Sequence, residues 1–254
     1  MLGAMKAGLF AAILVGLAAL TGDGFAQTAG GGGGSPVVVE LFTSQGCFQC
    51  PRANRLLGVM ARRSDVLALT FPVSIWDYLG WRDTLAQPEF SLRQRAYAQS
   101  LRVRGRVTPQ LIFNGSAQIS GADWDDAKTM LDQMAAAARP GGAPEVSMVR
   151  LRDQRVRVTL AAGAAPIAAD IWYVRFDPGP VTVLIGAGDN VNSEIQHFNL
   201  VESIDHVDQW DGAAKWFERG ACTPECAVLI QIPNGGPVLA AAETYDPAAD
   251  RRNN

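Results

Sequence analysis

Val37-Val38-Val39-Glu40-Leu41-Phe42-Thr43-Ser44-Gln45-Gly46-Cys47-Phe48-Gln49-Cys50-Pro51 is the stretch from which the rest of the chain is read. A β-branched run ends in polar turn residues and a glycine. Two cysteines follow at Cys-x-x-Cys spacing, and a helical pattern begins at once, with Leu56, Leu57, Val59 and Met60 on one side and Arg52, Arg55, Arg62 and Arg63 on the other. Strand, loop and helix in that order predict that Cys47 falls at a helix N-terminus, where free N–H groups and the helix dipole favour a thiolate. Cys50, one turn further in, is placed to close a short disulfide with it. The spacing alone also fits half of a zinc site or a static disulfide. Glu40 breaks the apolar run, either as a proton carrier for Cys50 or as a strand-edge carboxylate reaching solvent.

Downstream, Val66 to Val73 reads as a second buried strand of the kind a βαβ crossover produces. Trp76-Asp77-Tyr78-Leu79-Gly80-Trp81-Arg82-Asp83 is an aromatic segment expected to pack on a neighbouring domain or on a partner's polypeptide. Glu89 to Leu101 has helical spacing. Thr108-Pro109 leads into Gln110 to Phe113, and Asn114-Gly115 is a hairpin turn toward a partner strand, Ala117 to Ser120. A proline at such a strand start cannot donate to a ladder and is often cis. A capped helix follows, with Trp124, Ala127, Leu131 and Met134 at core spacing.

This order of elements resembles the thioredoxin fold. Cys47-Phe48-Gln49-Cys50 resembles that family's active-site pair, and Thr108-Pro109 its cis-proline loop, with Ser74 to Leu101 as a helical insertion. More closely, Glu40-Leu41-Phe42-Thr43-Ser44-Gln45-Gly46-Cys47, the Trp76 to Trp81 segment and Val107-Thr108-Pro109-Gln110 together resemble the exported bacterial proteins grouped as domain of unknown function 1223. That resemblance implies a thioredoxin-like α/β domain followed by a β-rich part, with Cys47, Cys50, Thr108 and Pro109 at the site; it implies no activity. Phe48 and Gln49 depart from the small polar residues expected between the cysteines, and Asn54 stands where an Asp is usual.

Arg139-Pro140-Gly141-Gly142-Ala143-Pro144 reads as a boundary. Beyond it, Val146 to Leu151, Val156 to Leu160, Ile171 to Phe176, Val181 to Ile185, Ala227 to Ile232 and Val238 to Ala241 alternate as strands do, predicting a smaller antiparallel β-sandwich-like domain or a small open barrel. The expected organisation is therefore a signal peptide at 1–26, a glycine-rich linker at 27–35, a thioredoxin-like domain at 36–138, a linker at 139–144, a β-rich domain at 145–245 and a polar tail at 246–254. Lys6, the apolar run Ala7 to Leu20 and Gly24-Phe25-Ala26 carry the signal reading, which predicts a periplasmic or secreted protein with no stable membrane anchor after cleavage.

The four cysteines pair naturally as Cys47 with Cys50 and Cys222 with Cys226. The second pair reads as a staple or as a second redox centre exchanging with Cys47. His197 and His206, the only histidines, lie in a polar stretch near Asp205 and Asp208 that does not amount to a metal site. No cofactor is expected. Five arginines between Phe90 and Ala122, with no acid among them, form either a solvated face or a basic rim near Cys47, while a net charge of -3 gives no case for nucleic acid. Two functions follow. One is an exported thiol-disulfide oxidoreductase whose partners are exported proteins or small thiols. The other is a non-catalytic binding or scaffold protein with structural disulfides.

Overall fold

A computed structural model describes residues 35–121, 123–137, 141–164 and 168–244. The expected signal peptide and polar tail lie outside the described residues, as do most of the glycine-rich linker and part of the 139–144 linker. Among the described residues no helix is long and apolar enough to cross a membrane.

The chain runs β1 (Val37–Thr43), α1 (Cys50–Met60), β2 (Val66–Pro72), α2 (Pro88–Ser100), β3 (Gln110–Phe113), β4 (Ala117–Ser120), α3 (Trp124–Ala136), β5 (Val146–Arg150), β6 (Val156–Leu160), β7 (Ala169–Asp177), β8 (Val181–Leu184), β9 (Glu194–His197), β10 (Leu200–Trp210), β11 (Lys215–Arg219), β12 (Glu225–Gln231) and β13 (Val238–Glu243). A 3₁₀ turn, Asp77–Leu79, interrupts the segment between β2 and α2. Helix α1 carries Pro51 in its first turn, where a missing N–H costs nothing. Asp123 caps α3 by accepting from the N–H groups of Asp125 and Asp126.

An eight-stranded mixed sheet in the order β13-β12-β7-β10-β2-β1-β3-β4 organises the molecule. β1 and β2 are parallel, as a crossover through α1 requires, and β3 runs antiparallel to β1. β5, β6 and β11 form a separate three-stranded sheet, and β8 pairs with β9. Both faces of β1 are buried. Val37, Val39 and Leu41 join Leu56, Leu57 and Met60 of α1 and Leu131 of α3 in one core. Val38 and Phe42 join Phe90 and Tyr97 of α2 in another, and that second core also holds Val174, Phe176, Leu229 and Ala241 from β7, β12 and β13.

The C-terminal strands thus differ from the self-contained sandwich expected after residue 144. They extend the first sheet through β10, where Leu200 pairs with Thr70 of β2, Thr70 N–H donates to Asn199 O (2.9 Å) and the Thr70 hydroxyl donates to Phe198 O (2.6 Å). The sheet curls around α2 far enough that Val238 N–H, at the start of β13, donates to Asn114 O in the β3–β4 turn (2.8 Å). The inner face of α2 is long-chain and aromatic, and β1 and β2 alone do not cover it. The strands that complete its burial come from far downstream, from Ala169 onward.

Candidate functional site

The cysteine stretch folds as its residue types dictate. β1 ends at Thr43, Gln45 and Gly46 turn, and Cys47 N–H donates to Ser44 O (3.1 Å). Cys50 N–H donates to Cys47 O (3.1 Å), so Cys50, not Cys47, opens α1, and Cys47 stands in the turn just before it. The two are disulfide-bonded, with Cα atoms 5.3 Å apart. Cys50 is fully buried. Cys47 is 6% exposed and lines an open cleft of about 220 Å³ together with Phe48, Gln49, Trp76, Leu79 and Thr108.

Thr108 lies against Cys47, with Pro109 next to it in the chain. Cys47 Sγ lies 3.4 Å from Thr108 O, a contact in the disulfide that becomes a hydrogen bond once the thiol is present to donate. The Thr108–Pro109 bond is cis, and Pro109 O accepts from Gly121 N–H (3.0 Å) beyond the β3–β4 hairpin. The aromatic segment packs on this loop. Trp76 Nε1 donates to Thr108 Oγ1 (2.7 Å), Trp81 Nε1 donates to Gln45 Oε1 (2.8 Å), and a Cβ on Gly46 would stand 2.9 Å from Trp76 Cβ. Residue 46 must be glycine because Trp76 presses directly on its backbone. Tyr78 and Leu79 remain exposed beside the cleft, as does Phe48 between the cysteines.

Two residues that sequence reasoning missed hold the loop from below. Asp83, 3% exposed, accepts from Gln45 N–H (2.8 Å) and Leu85 N–H (3.0 Å); burial pushes its carboxyl up to about 6 against the pull of those N–H groups. Asn190, from the loop between β8 and β9, donates through Nδ2 to both Gln45 O (2.8 Å) and Cys47 O (2.9 Å). Neither carried a sequence signal of this role, since Asp83 stands between Arg82 and Thr84 and Asn190 within the mostly polar run Gly188 to Glu194. Further into α1, the Thr43 hydroxyl donates to Asn54 Oδ1 (2.7 Å), while Ser44 Oγ and Asn54 Nδ2 are buried without a partner among the described residues.

Glu40 is not brought to the cysteines. It points to the opposite face of β1, with Val38 and Phe42, and is fully buried there. Arg93 of α2 donates to it through Nε (2.5 Å) and Nη2 (2.8 Å), and the Tyr97 hydroxyl donates to the same carboxylate. Gln231 of β12 donates to Tyr97 Oη (3.0 Å). The carboxylate that breaks the apolar run is thus neither a proton carrier for Cys50 nor a solvent-reaching edge residue. It is one end of a buried ion pair joining β1, α2 and the far strands. The same contact removes Arg93 from any basic rim, and none of Arg95, Arg102, Arg104 and Arg106 lines the cleft. The acid lining it is Asp189.

Cys222 and Cys226 are disulfide-bonded and both fully buried, in a loop held by Arg150, which donates to Cys222 O and, through Nη2, to Glu225 Oε2 (3.2 Å). His197 is buried with neither ring nitrogen partnered among the described residues, and burial lowers its pKa to about 4. His206 Nε2 meets Asp170 Oδ1 at 3.1 Å. No group of three His, Cys, Asp or Glu suited to a metal occurs among the described residues.

The model of a protein family of unknown function, DUF1223, matches residues 38–230. The chain belongs to the DUF1223 family. That match begins in β1 and ends in β12, so it takes in β7 and β10 of the C-terminal half as well as the cysteine loop, and stops before β13. A crystal structure of a protein from Agrobacterium tumefaciens is similar to this DUF1223 chain at 31% identity, covering 83% of this chain and 94% of that one with a TM-score of 0.70. No curated protein matches the chain.

Proposed function

We propose that this chain is an exported, thioredoxin-like thiol-disulfide oxidoreductase in which Cys47 is the attacking sulfur and Cys50 the resolving one. The observation that carries the reading is the position of Cys47. It sits at the mouth of α1, on an open cleft, with its sulfur against the Thr108 carbonyl. The thioredoxin-like part is supported by the order strand, cysteine pair, helix, parallel strand, helix, cis-proline, hairpin and helix. Export is supported by the signal-like first residues and by two paired sets of cysteines.

In the reducing direction, the Cys47 thiolate attacks one sulfur of a substrate disulfide. A Cys47–substrate S–S bond forms as the substrate S–S bond breaks, releasing the first substrate thiolate, which takes up a proton. The Cys50 thiolate then attacks Cys47 Sγ, the mixed disulfide breaks, and the second substrate thiol leaves; two electrons have passed from the dithiol to the substrate. The oxidising direction is the reverse. Thr108 and Trp76 line the cleft, and the carbonyl of Thr108 is an acceptor for the Cys47 thiol between cycles.

A Cys50→Ala variant tests this directly. It cannot resolve, so exported proteins or small thiols should accumulate as mixed disulfides on Cys47, and alkylation of the reduced wild type should label Cys47 first and at mildly acidic pH. The low exposure of Cys47 favours a second reading, a binding protein whose cysteine pairs are both structural. That reading predicts slow labelling of both pairs alike and no trapped partner.

A further inference from the structure

In β7, far along the chain from the cysteine loop, Tyr173 and Arg175 project from the same face of the strand, two residues apart. Their neighbours on β10 are Asp205, paired with Tyr173, and Ser203, paired with Arg175. Arg219, at the end of β11, reaches across from the three-stranded sheet and lays its guanidinium 5.4 Å from the centre of the Tyr173 ring. These side chains, with Glu218 and the Gly220–Ala221 turn, line a cavity of about 290 Å³ at the rim of the core between the two sheets.

Three features make this a built cavity rather than a scatter of surface charges. Tyr173 is 3% exposed, and its hydroxyl has no hydrogen-bond partner among the described residues. A buried hydroxyl left without a partner is costly, so a group that supplies one is favoured there. Arg219 forms no ion pair among the described residues, and Arg175 spends only Nε, donating to Ser203 Oγ (3.0 Å), which leaves its outer N–H groups free. Burial raises the pKa of the Tyr173 hydroxyl, while the fields of Arg219, Arg175 and Arg150 draw it down, so positive potential converges on that oxygen. Of the two acids in the lining, Glu218 is already neutralised by Arg155 and by Arg157 (2.7 Å), and Asp205 has no cationic partner among the described residues.

We infer that this cavity is a binding site for a small carboxylate ligand, its carboxylate held between Arg175 and Arg219 and accepting from the Tyr173 hydroxyl. The planar guanidinium matches a carboxylate with two parallel N–H groups. Asp205, on the facing strand, sorts the ligand. An ammonium beside the carboxylate, as in a free amino acid, has an acceptor there, whereas a plain organic acid does not. The inference stands apart from the redox reading, since neither disulfide takes part.

Titration with propionate and with alanine, which differ in the ammonium alone, tests the site in the intact oxidised protein, with chloride holding the ionic strength constant and amide chemical shifts as the readout. The expected result is a saturable shift centred on β7 and the β11–β12 turn for at least one of the two. Arg219→Ala should weaken it at least about tenfold, and Tyr173→Phe, which keeps the ring under Arg219, several-fold. Tighter binding of alanine identifies an amino-acid site using Asp205; equal or tighter binding of propionate identifies a site for simple organic acids. An absence of saturable shifts with both ligands overturns the inference, and so does unchanged affinity in Arg219→Ala. The Tyr173→Phe arm decides the matter if Arg219→Ala does not fold.

Discussion

Asp83 and His197 carry opposite pH dependences, and together they mask one another. Asp83 is buried under the cysteine loop with a carboxyl pushed from 3.8 to about 6; His197 is buried in β9 with its pKa lowered from 6.5 to about 4. Between pH 3.8 and 6 the folded chain therefore holds a proton on Asp83 that the unfolded chain lacks, and stability falls as pH rises through that window. Between pH 4 and 6.5 the unfolded chain holds a proton on His197 that the folded chain lacks, and stability rises with pH. Each proton is worth about 1.4 kcal/mol per pH unit, so each group contributes about 3 kcal/mol across its window, and the two cancel between pH 4 and 6.

Single substitutions should unmask them. Relative to the wild type at each pH, Asp83→Asn should gain about 3 kcal/mol from pH 4 to pH 6, and His197→Phe should lose about 3 kcal/mol from pH 4 to pH 6.5. Urea unfolding of the disulfide-intact protein at pH 4, 5, 6 and 7, followed by tryptophan fluorescence, measures these differences; groups common to all three proteins subtract out. Two differences that stay flat over the window, or that run with the same sign, would refute the assignment of these two groups as the compensating pair.

Glu40→Ala should destabilise the fold by about 3–5 kcal/mol, because it leaves the Arg93 guanidinium buried without its carboxylate; in a Glu40→Ala/Arg93→Met double variant chemical denaturation should recover a large part of that loss. Trp76→Phe removes the bond to Thr108 Oγ1, and the expected result is a loss of about 1 kcal/mol together with faster alkylation of Cys47 in the reduced protein, read by mass spectrometry. Replacing both Cys222 and Cys226 with serine opens a loop of sequence separation 4 and should cost about 2 kcal/mol without changing Cys47 labelling. A fragment ending at residue 138 should show no cooperative unfolding transition by circular dichroism, since α2 would lose Val174, Phe176, Leu229 and Ala241 from its core and Tyr97 would lose Gln231.

What the sequence made legible and what it hid divide along the range of the interactions involved. The strand, the cysteine pair and α1 could be read because β-branching, a glycine turn and helical spacing are local; the same holds for the Asn114-Gly115 hairpin, whose strands fall where the turn predicts. β10 was hidden because its sequence, Leu200 to Trp210, is mostly polar, and register shifts at Val201/Ser203 and His206/Asp208 break the two-residue alternation that would have betrayed a strand. Missing β10 concealed the junction with β2, and so the C-terminal half looked like a domain of its own. The role of Glu40 turned on a partner 53 residues away. An acid in a strand buried on both faces must be paired, and Arg93 and Tyr97, four apart on one helix face, were the available partners, but nothing local says which face of β1 carries the acid. Asn190 is the extreme case. It is 143 residues from Cys47, yet its one amide nitrogen ties down the carbonyl of that cysteine and of Gln45. The cysteine loop is therefore shaped by the second half of the chain, and the family match, which runs from β1 to β12, takes in both the cysteine pair and the Asn190 that holds its loop.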